Sequence, residues 1–380
     1  MKIAVIGSGL MGQAIVYDLC RAENVDKIGV YDFDSDLAEE VARKFGNEKT
    51  ISGQIDAGNE EQVIEVLRDY NACISAVIFK YNPGLTRAAI KTGTHFFDLG
   101  GNNDIVRLQF EMHDEAKAAD IIVIPDCGLA PGMVSILAAA GVKEFDKVSS
   151  LKIRVGGLPQ NPRPPLNYQM VFSSEGLINE YWEPVVILEE GKKKIVTPMT
   201  GLEELEFDGI GRLEAFYTSG GTSTLPDTYK DRIDFLDYKT IRYPGHCRTF
   251  KPMLEIGLGS KSAVKVDGQN VEPREVLKKV LEKNLTFNDP DLVLVKLFFE
   301  GIKDEQPKKM VYEIIDRQDT RTGLTSMMRT TAFPVSIIAW MACSGRIDHR
   351  GVVPQEIAVD PAFFIAQLKK RNINISIKNN

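Results

Sequence analysis

Short apolar runs alternate with amphipathic stretches through roughly the first 125 residues. Ile3 to Ile6, Lys27 to Tyr31, Thr50 to Ile55, Ala72 to Ile78, His95 to Leu99 and Ile121 to Ile124 read as six strands. Several are apolar at consecutive positions, as in a sheet covered on both faces. Between them, Gln13 to Cys20, Asp34 to Phe45, Asn59 to Tyr70, Leu85 to Thr92 and Ile105 to Ala119 read as helices. Leu37, Val41 and Phe45 recur every fourth residue, and Val63, Ile64, Val66 and Leu67 form a second inward stripe. The pattern is that of a doubly wound α/β domain.

The pattern shifts after Pro125-Asp-Cys-Gly128. A helix is expected from Ala130-Pro-Gly-Met133 to about Gly141, with Pro131 in its first turn. From Val148 onward strand-like alternation dominates: Leu151, Ile153 and Val155, then Ile241, Met253 to Leu258, Ala263 to Val266, Val293 to Phe299 and Val311 to Ile315. Helices are sparse, at Leu177 to Trp182 and Pro273 to Lys283, with Gly-, Pro- and Ser-rich joints at Gly156 to Pro165 and Tyr217 to Pro226. This predicts an α+β domain on a mostly antiparallel sheet. Thr325 to Cys343 reads as a long apolar helix interrupted at Pro334. Phe363 to Leu368 reads as part of a short terminal helix whose basic end, Lys369 to Arg371, suits its dipole.

The first strand runs into Gly7-Ser-Gly-Leu-Met-Gly12, spaced G-x-G-x-x-G, and then into a helix. Gly7 permits the turn, Gly9 lets a pyrophosphate approach the backbone, and Gly12 lets the helix pack on the sheet. Unpaired N–H groups of the helix then face the phosphates. Asp32 ends the second strand, twenty residues after Gly12, where a carboxylate accepts from ribose hydroxyls and repels a 2′-phosphate. No Arg or Lys follows it until Arg43, which favours NAD over NADP. The expected cofactor lining is Gly7, Gly9, Leu10, Met11, Gly12 and Asp32, with Asp56, Ala76 and Gly100 near later strand ends.

Length and composition narrow the class. The 380 residues suffice for two domains, and 43% hydrophobic with 26% charged residues is ordinary for a globular protein. A net charge of −7 gives no overall attraction for nucleic acid or an anionic membrane. No apolar run approaches the roughly 20 residues of a membrane span. A strand starting at Lys2 leaves no room for a leader, so the expected location is the cytoplasm. The five cysteines are scattered and odd in number, which points to reduced thiols and no bound metal.

The chain resembles the saccharopine dehydrogenase family, within it most closely the lysine 6-dehydrogenases, from Met1 to about Ile375. The matching stretches include D-L-G-G (Asp98 to Gly101), I-P-D-C-G-L-A-P-G-M (Ile124 to Met133), V-G-G-L-P (Val155 to Pro159) and V-F-S-S-E-G-L (Val171 to Leu177). More specific are L-E-A-F-Y-T-S-G-G-T-S-T-L (Leu213 to Leu225) and Y-K-T-I-R-Y-P-G-H (Tyr238 to His246). The resemblance implies a Rossmann domain of residues 1–128 plus 325–380, with an inserted substrate-binding and oligomerisation domain at 129–324. It also implies a homodimer or higher homo-oligomer and NAD-dependent oxidative deamination of L-lysine at its ε-carbon. Two alternatives stand beside it: a saccharopine- or carboxynorspermidine-type reductase, and a nucleotide-binding redox sensor without turnover.

Amine oxidation needs a base for the amine proton, a grip on the remote end of the substrate, and the reacting carbon held against nicotinamide. Lys80, after the fourth strand, is either a proton relay or a solvated lysine. Asp98 either holds an ammonium or acts as base, or else caps a turn. Arg242 is the choice for a substrate carboxylate, against a sheet-face role. His246 is a proton carrier or a structural histidine. Tyr168, Thr222 and Ser223 lie in Gly- or Pro-flanked loops as hydrogen-bond donors to substrate.

Overall fold

The computed structural model describes residues 1–287 and 289–379. The chain divides into two compact units, Met1–Ala140 with Met328–Ile373, and Gly141–Met327 with Asn374–Asn380.

In the first unit the strands are β1 (Lys2–Ile6), β2 (Lys27–Asp32), β3 (Thr50–Gln54), β4 (Ala72–Ser75), β5 (His95–Asp98) and β6 (Ile122–Ile124). They form a parallel sheet in the order β6-β5-β4-β1-β2-β3, extended beside β6 by Gly351–Val352. Ile3 to Ile6 on β1 are fully buried, as a central strand covered on both faces requires. The helices are α1 (Leu10–Leu19), α2 (Ser35–Phe45), α3 (Glu60–Leu67), α4 (Asn82–Thr92), α5 (Asn103–Phe110) and α6 (His113–Ala118). Asp34, Asn59 and Asn102 cap α2, α3 and α5 through side-chain oxygens that accept first-turn N–H groups.

Three expectations change here. The strand expected to reach Ile78 ends at Ser75, and a 3-10 turn follows at Phe79–Tyr81. The helix expected over Ile105 to Ala119 is two helices, parted at Glu111 and Met112. The next helix, α7 (Met133–Val142), starts after Pro131, because Gly132 at φ +124° lies outside the helical region.

The second unit contains β7 (Lys147–Pro159), α8 (Ser174–Trp182), β8 (Val185–Glu189), β9 (Lys192–Val196), β10 (Glu203–Phe207) and β11 (Gly211–Tyr217). It continues through α9 (Leu225–Tyr229), β12 (Phe235–Arg242), α10 (His246–Glu255), β13 (Val264–Val266), β14 (Gln269–Val271), α11 (Pro273–Leu285), β15 (Asp291–Lys303) and β16 (Gln306–Arg317). Its large sheet runs β10-β11-β12-β7-β15-β16 and ends on Ser376–Asn379, while β8 joins β12 and carries β9. β12 and β7 pair in parallel, so the sheet is mixed. The expected joint from Gly156 is strand as far as Pro159.

Met253 to Leu258, expected as a strand, begins inside α10. Cys247, Phe250 and Leu254 fall on one buried face of that helix, at helical spacing. They pack with Leu177, Ile178 and Tyr181 of α8 and with Leu277 and Leu281 of α11.

The domain limits also move from those expected. Most of the apolar α7 belongs to the first unit, and the C-terminal strand belongs to the second, where it pairs with β16. Unpaired N–H and C=O groups at a sheet edge are met by such a strand. Helix α12 (Ser326–Cys343) runs unbroken through Pro334, and the Asp291 carboxylate accepts from Ser326 N at 2.6 Å and Met327 N at 2.9 Å at its start.

Candidate active site

The glycine loop lies between β1 and α1, with Gly7 N donating to the Tyr31 carbonyl at 2.7 Å. Ala76 backs this turn, its N–H bonded to the Ile6 carbonyl at 2.7 Å. Gly9 and Leu10 are exposed at the helix start, and Met11 is half-buried. The Asp32 carboxylate accepts from Ser8 N at 2.6 Å and Asp34 N at 3.0 Å, which ties the end of β2 to the loop. The Ser8 hydroxyl oxygen is buried without a hydrogen-bond partner among the described residues. An orphaned hydroxyl in a glycine loop, open backbone at Gly9 and a carboxylate one strand away fit a dinucleotide. One residue beyond Asp32, a hollow of about 410 Å³ opens between Phe33, Gln54, Asp56 and Glu65. Asp56 is exposed there and accepts from Gly58 N at 2.8 Å.

The two proton-transfer candidates of this unit part ways. Lys80 is exposed, its ammonium 4.8 Å from the Tyr81 ring centroid. Asp98 is fully buried. Its carboxylate accepts from Gly100 N at 2.8 Å, Asp126 N at 3.1 Å and Gln109 Nε2 at 2.7 Å, so its bonding capacity goes into holding the turn. Burial raises its pKa. Gly100, expected at the cofactor, belongs to that same turn.

The second unit gathers its candidates at the end of β12. Arg242 is 2% exposed. Its Nε donates to Tyr181 Oη at 2.7 Å and its Nη1 to the Ile241 carbonyl at 2.9 Å. The guanidinium lies 4.8 Å from the Tyr168 ring centroid and 5.7 Å from that of Tyr181. His246 places Nδ1 at 2.9 Å from the Leu166 carbonyl and Nε2 at 3.1 Å from Tyr181 Oη. A carbonyl only accepts, so Nδ1 carries the proton and Nε2 receives one from Tyr181. Burial, reinforced by the Arg242 charge, lowers the His246 pKa to about 3. His246 is therefore held as a neutral ring with both nitrogens hydrogen-bonded.

Tyr168 is fully buried. Burial pushes this phenol up to about 12, so it is a protonated donor. Thr222 is buried, its hydroxyl 3.4 Å from the Val186 carbonyl, and Ser223 is half-buried with φ +42°. Their loop lies against Tyr238, because a Cβ on Gly221 would stand 2.4 Å from that ring. Ser219 N donates to the Glu180 carbonyl at 2.9 Å, which fastens the loop to α8. Helix α8 is held in turn from α11, where Arg274 bonds Glu175 at 3.0 Å and also bonds Asn179.

The residue that sequence reasoning missed is Glu180. It sits half-buried on α8 and interacts electrostatically with Arg242, Tyr168, Tyr181 and Tyr238. Burial raises its pKa to about 7, against the opposing pull of Arg242. The available signal was an acid next to Tyr181 in a helix whose Leu177, Ile178 and Tyr181 are apolar.

That shift has a consequence for stability. With its pKa raised on folding, Glu180 binds more proton in the native state than in the unfolded chain at pH values between the ordinary carboxyl value and about 7. Stability therefore falls as pH rises through this window. Glu180→Gln is expected to raise Tm at pH 8 by about 2–6 °C and to give little gain near pH 4.5. Thermal melts of both proteins without substrate check this; an equal gain at both pH values contradicts it.

Among the described residues, no group of three His, Cys, Asp or Glu stands where it could hold a metal ion, and no helix is long and apolar enough to cross a membrane.

Residues 3–124 match the family model described as the saccharopine dehydrogenase NADP binding domain, and residues 128–373 match that of the saccharopine dehydrogenase C-terminal domain. A carboxyaminopropylagmatine dehydrogenase of Synechocystis sp. is 22% identical over 387 residues, covering 97% of this chain and 95% of that protein. Saccharopine dehydrogenase (NADP(+), L-glutamate-forming) of Saccharomyces cerevisiae is 23% identical over 301 residues, 77% of this chain and 66% of its own. The solved apo structure of a Saccharomyces cerevisiae saccharopine dehydrogenase (L-Glu forming) has the same fold. Its TM-score is 0.83 at 19% identity, covering 100% of this chain and 99% of that one.

Proposed function

The chain belongs to the saccharopine dehydrogenase family of NAD(P)-dependent oxidoreductases, and from that premise we propose that it oxidatively deaminates L-lysine at the ε-carbon. The products are ammonia, reduced NAD and the 6-semialdehyde, which closes to a cyclic imine. The observation that carries this reading is Arg242, a fully buried guanidinium with no carboxylate paired to it among the described residues. A buried charge without a partner is costly, and a ligand carboxylate supplies the missing counter-ion. Nicotinamide supplies the hydride acceptor when bound. The chain's own residues do the rest: Arg242 and the Tyr168 hydroxyl grip the remote carboxylate, and this fixes the distance to the reacting carbon. Of the three groups expected to move protons, Lys80 alone keeps an accessible head. The test is incubation with NAD and a panel of amino acids and diamines, following nicotinamide absorbance and ammonia release together. Reduction with no ammonia released sinks the reading.

A second reading is favoured by the relative matched over nearly its full length, whose name places it on a carboxyaminopropylagmatine substrate. Here the chain joins an amine to an aldehyde and reduces the resulting imine. It predicts oxidation of reduced nicotinamide by an amine and an aldehyde together, and no ammonia.

We propose NAD as the cofactor, although the matching family model carries NADP in its name. The Asp32 carboxylate, already fixed by Ser8 N and Asp34 N, keeps lone pairs for ribose hydroxyls and repels a 2′-phosphate. Asp32→Ala is expected to lower kcat/KM with NAD by about tenfold or more and to narrow the preference over NADP. Higher kcat/KM with NADP in the unaltered protein refutes this.

A further inference from the structure

β2 ends at Asp32 and α2 starts at Ser35, so Phe33 and Asp34 alone join them. The Asp32 carbonyl accepts from Ile55 N at 2.8 Å, and its carboxylate from Ser8 N at 2.6 Å and Asp34 N at 3.0 Å. Asp34 is tied down as the cap of α2, accepting from Asp36 N at 3.0 Å and Leu37 N at 3.2 Å. Phe33 lies past the last paired position of the β2–β3 ladder, where Asp32 stands opposite Gln54. It is 71% exposed, so packing does not hold it. Its carbonyl accepts from Gln54 Nε2 at 2.9 Å. That carbonyl and the Asp34 N–H belong to one planar peptide unit. Gln54 fixes one side of the plane, and the other side donates to the Asp32 carboxylate. A chain of two hydrogen bonds thus runs from a side chain on β3 to the acid at the end of β2.

We propose that Gln54 is a positioning residue for cofactor choice: by holding the Phe33–Asp34 peptide from the neighbouring strand, it keeps the Asp32 carboxylate where it accepts from ribose hydroxyls and shuts out a 2′-phosphate. This rests on the assignment of Asp32 to NAD selection and extends it to the residue that holds Asp32 in place. Selection by a carboxylate needs a carboxylate that cannot turn away. With the peptide free to rotate, the Asp34 N–H leaves Asp32, and the acid swings off its position. NAD then loses an acceptor, while NADP loses an obstacle. The two cofactors therefore respond differently to the same loosening, which a general loss of structure does not produce.

The test is fluorescence titration of the full chain with NADH and with NADPH, which reads binding without turnover. Gln54→Met keeps the length of the side chain and removes the donor. It is expected to shift the ratio of the two dissociation constants toward NADPH by about three- to tenfold, the scale of one hydrogen bond, mainly through weaker NADH. Gln54→His returns an N–H at similar reach and should restore part of the ratio. In an Asp32→Ala background, Gln54→Met should change the ratio by less than about twofold, because its effect passes through Asp32. Gln54 is exposed, so the melting temperatures of the single variants should stay near that of the parent. An equal loss of both cofactors, an unchanged ratio in Gln54→Met, no recovery in Gln54→His, or the same shift with Asp32 absent overturns the proposal. The NAD assignment stands or falls separately. It depends on which cofactor the unaltered protein prefers, whereas the role of Gln54 depends on how far the ratio moves when the amide is lost.

Discussion

Arg242→Ala is expected to lower kcat/KM for L-lysine by roughly two to three orders of magnitude, within the range of about 2–5 kcal/mol for losing one partner of a desolvated charge pair. The guanidinium is buried between Tyr168 and Tyr181, where water does not replace a missing carboxylate contact. Binding energy at this non-reacting end orients the reacting carbon, so the loss reaches kcat as well as KM. NAD affinity should not change, because the cofactor residues belong to the other unit. Arg242→Lys restores charge without the planar fork and should recover only part of the rate. Cadaverine, which has no carboxylate, is the control substrate. Equal slowing of lysine and cadaverine makes Arg242 a structural residue, whose task is to donate to Tyr181 and through it to keep His246 in place. Melting curves separate that outcome from simple unfolding.

Gly12→Ala is expected to abolish useful NAD binding and to destabilise the protein, whereas Gly9→Ala should do only the first, and more mildly. A Cβ on Gly12 would stand 1.9 Å from the Gly7 carbonyl oxygen and 2.9 Å from its carbon, both backbone atoms that no rotamer change can move. The start of α1 must shift away from the turn, and overpacking of this kind costs about 1–3 kcal/mol. With the N–H groups displaced, a loss of about a hundredfold in NAD affinity is expected. A Cβ on Gly9 meets nothing within 4 Å, and φ there is −65°, which alanine adopts freely. Gly9→Ala should therefore melt like the parent and weaken NAD by about tenfold, through the pyrophosphate's lost approach to the backbone. Unchanged NAD affinity in Gly9→Ala means that the phosphates do not sit on this loop.

Much of the first unit is legible because its signals are local. A parallel strand covered on both faces demands an unbroken apolar run, and Ile3 to Ile6 is such a run. The cofactor cradle is contained in 32 consecutive residues, where strand, glycine turn, helix and Asp32 follow each other at spacings the chemistry imposes. Met253 to Leu258 lacked such local definition. A short apolar run suits either a strand or a helix, and the packing of Phe250 and Leu254 against α8 and α11 decided for the helix.

Ionisation and pairing were set by segments far apart in the chain. Asp98 reads in the sequence as an acid beside two glycines; only the fold turns its oxygens inward onto Gly100, Asp126 and Gln109. His246 has a titratable ring until Leu166, Tyr181 and Arg242 surround it and burial drives it neutral. That Arg242 is a cation suited to a carboxylate follows from its side chain alone. That it is buried, with no carboxylate paired to it among the described residues, follows from the meeting of β12 with α8. Desolvation is a sum over all neighbours, and no stretch of sequence contains that sum.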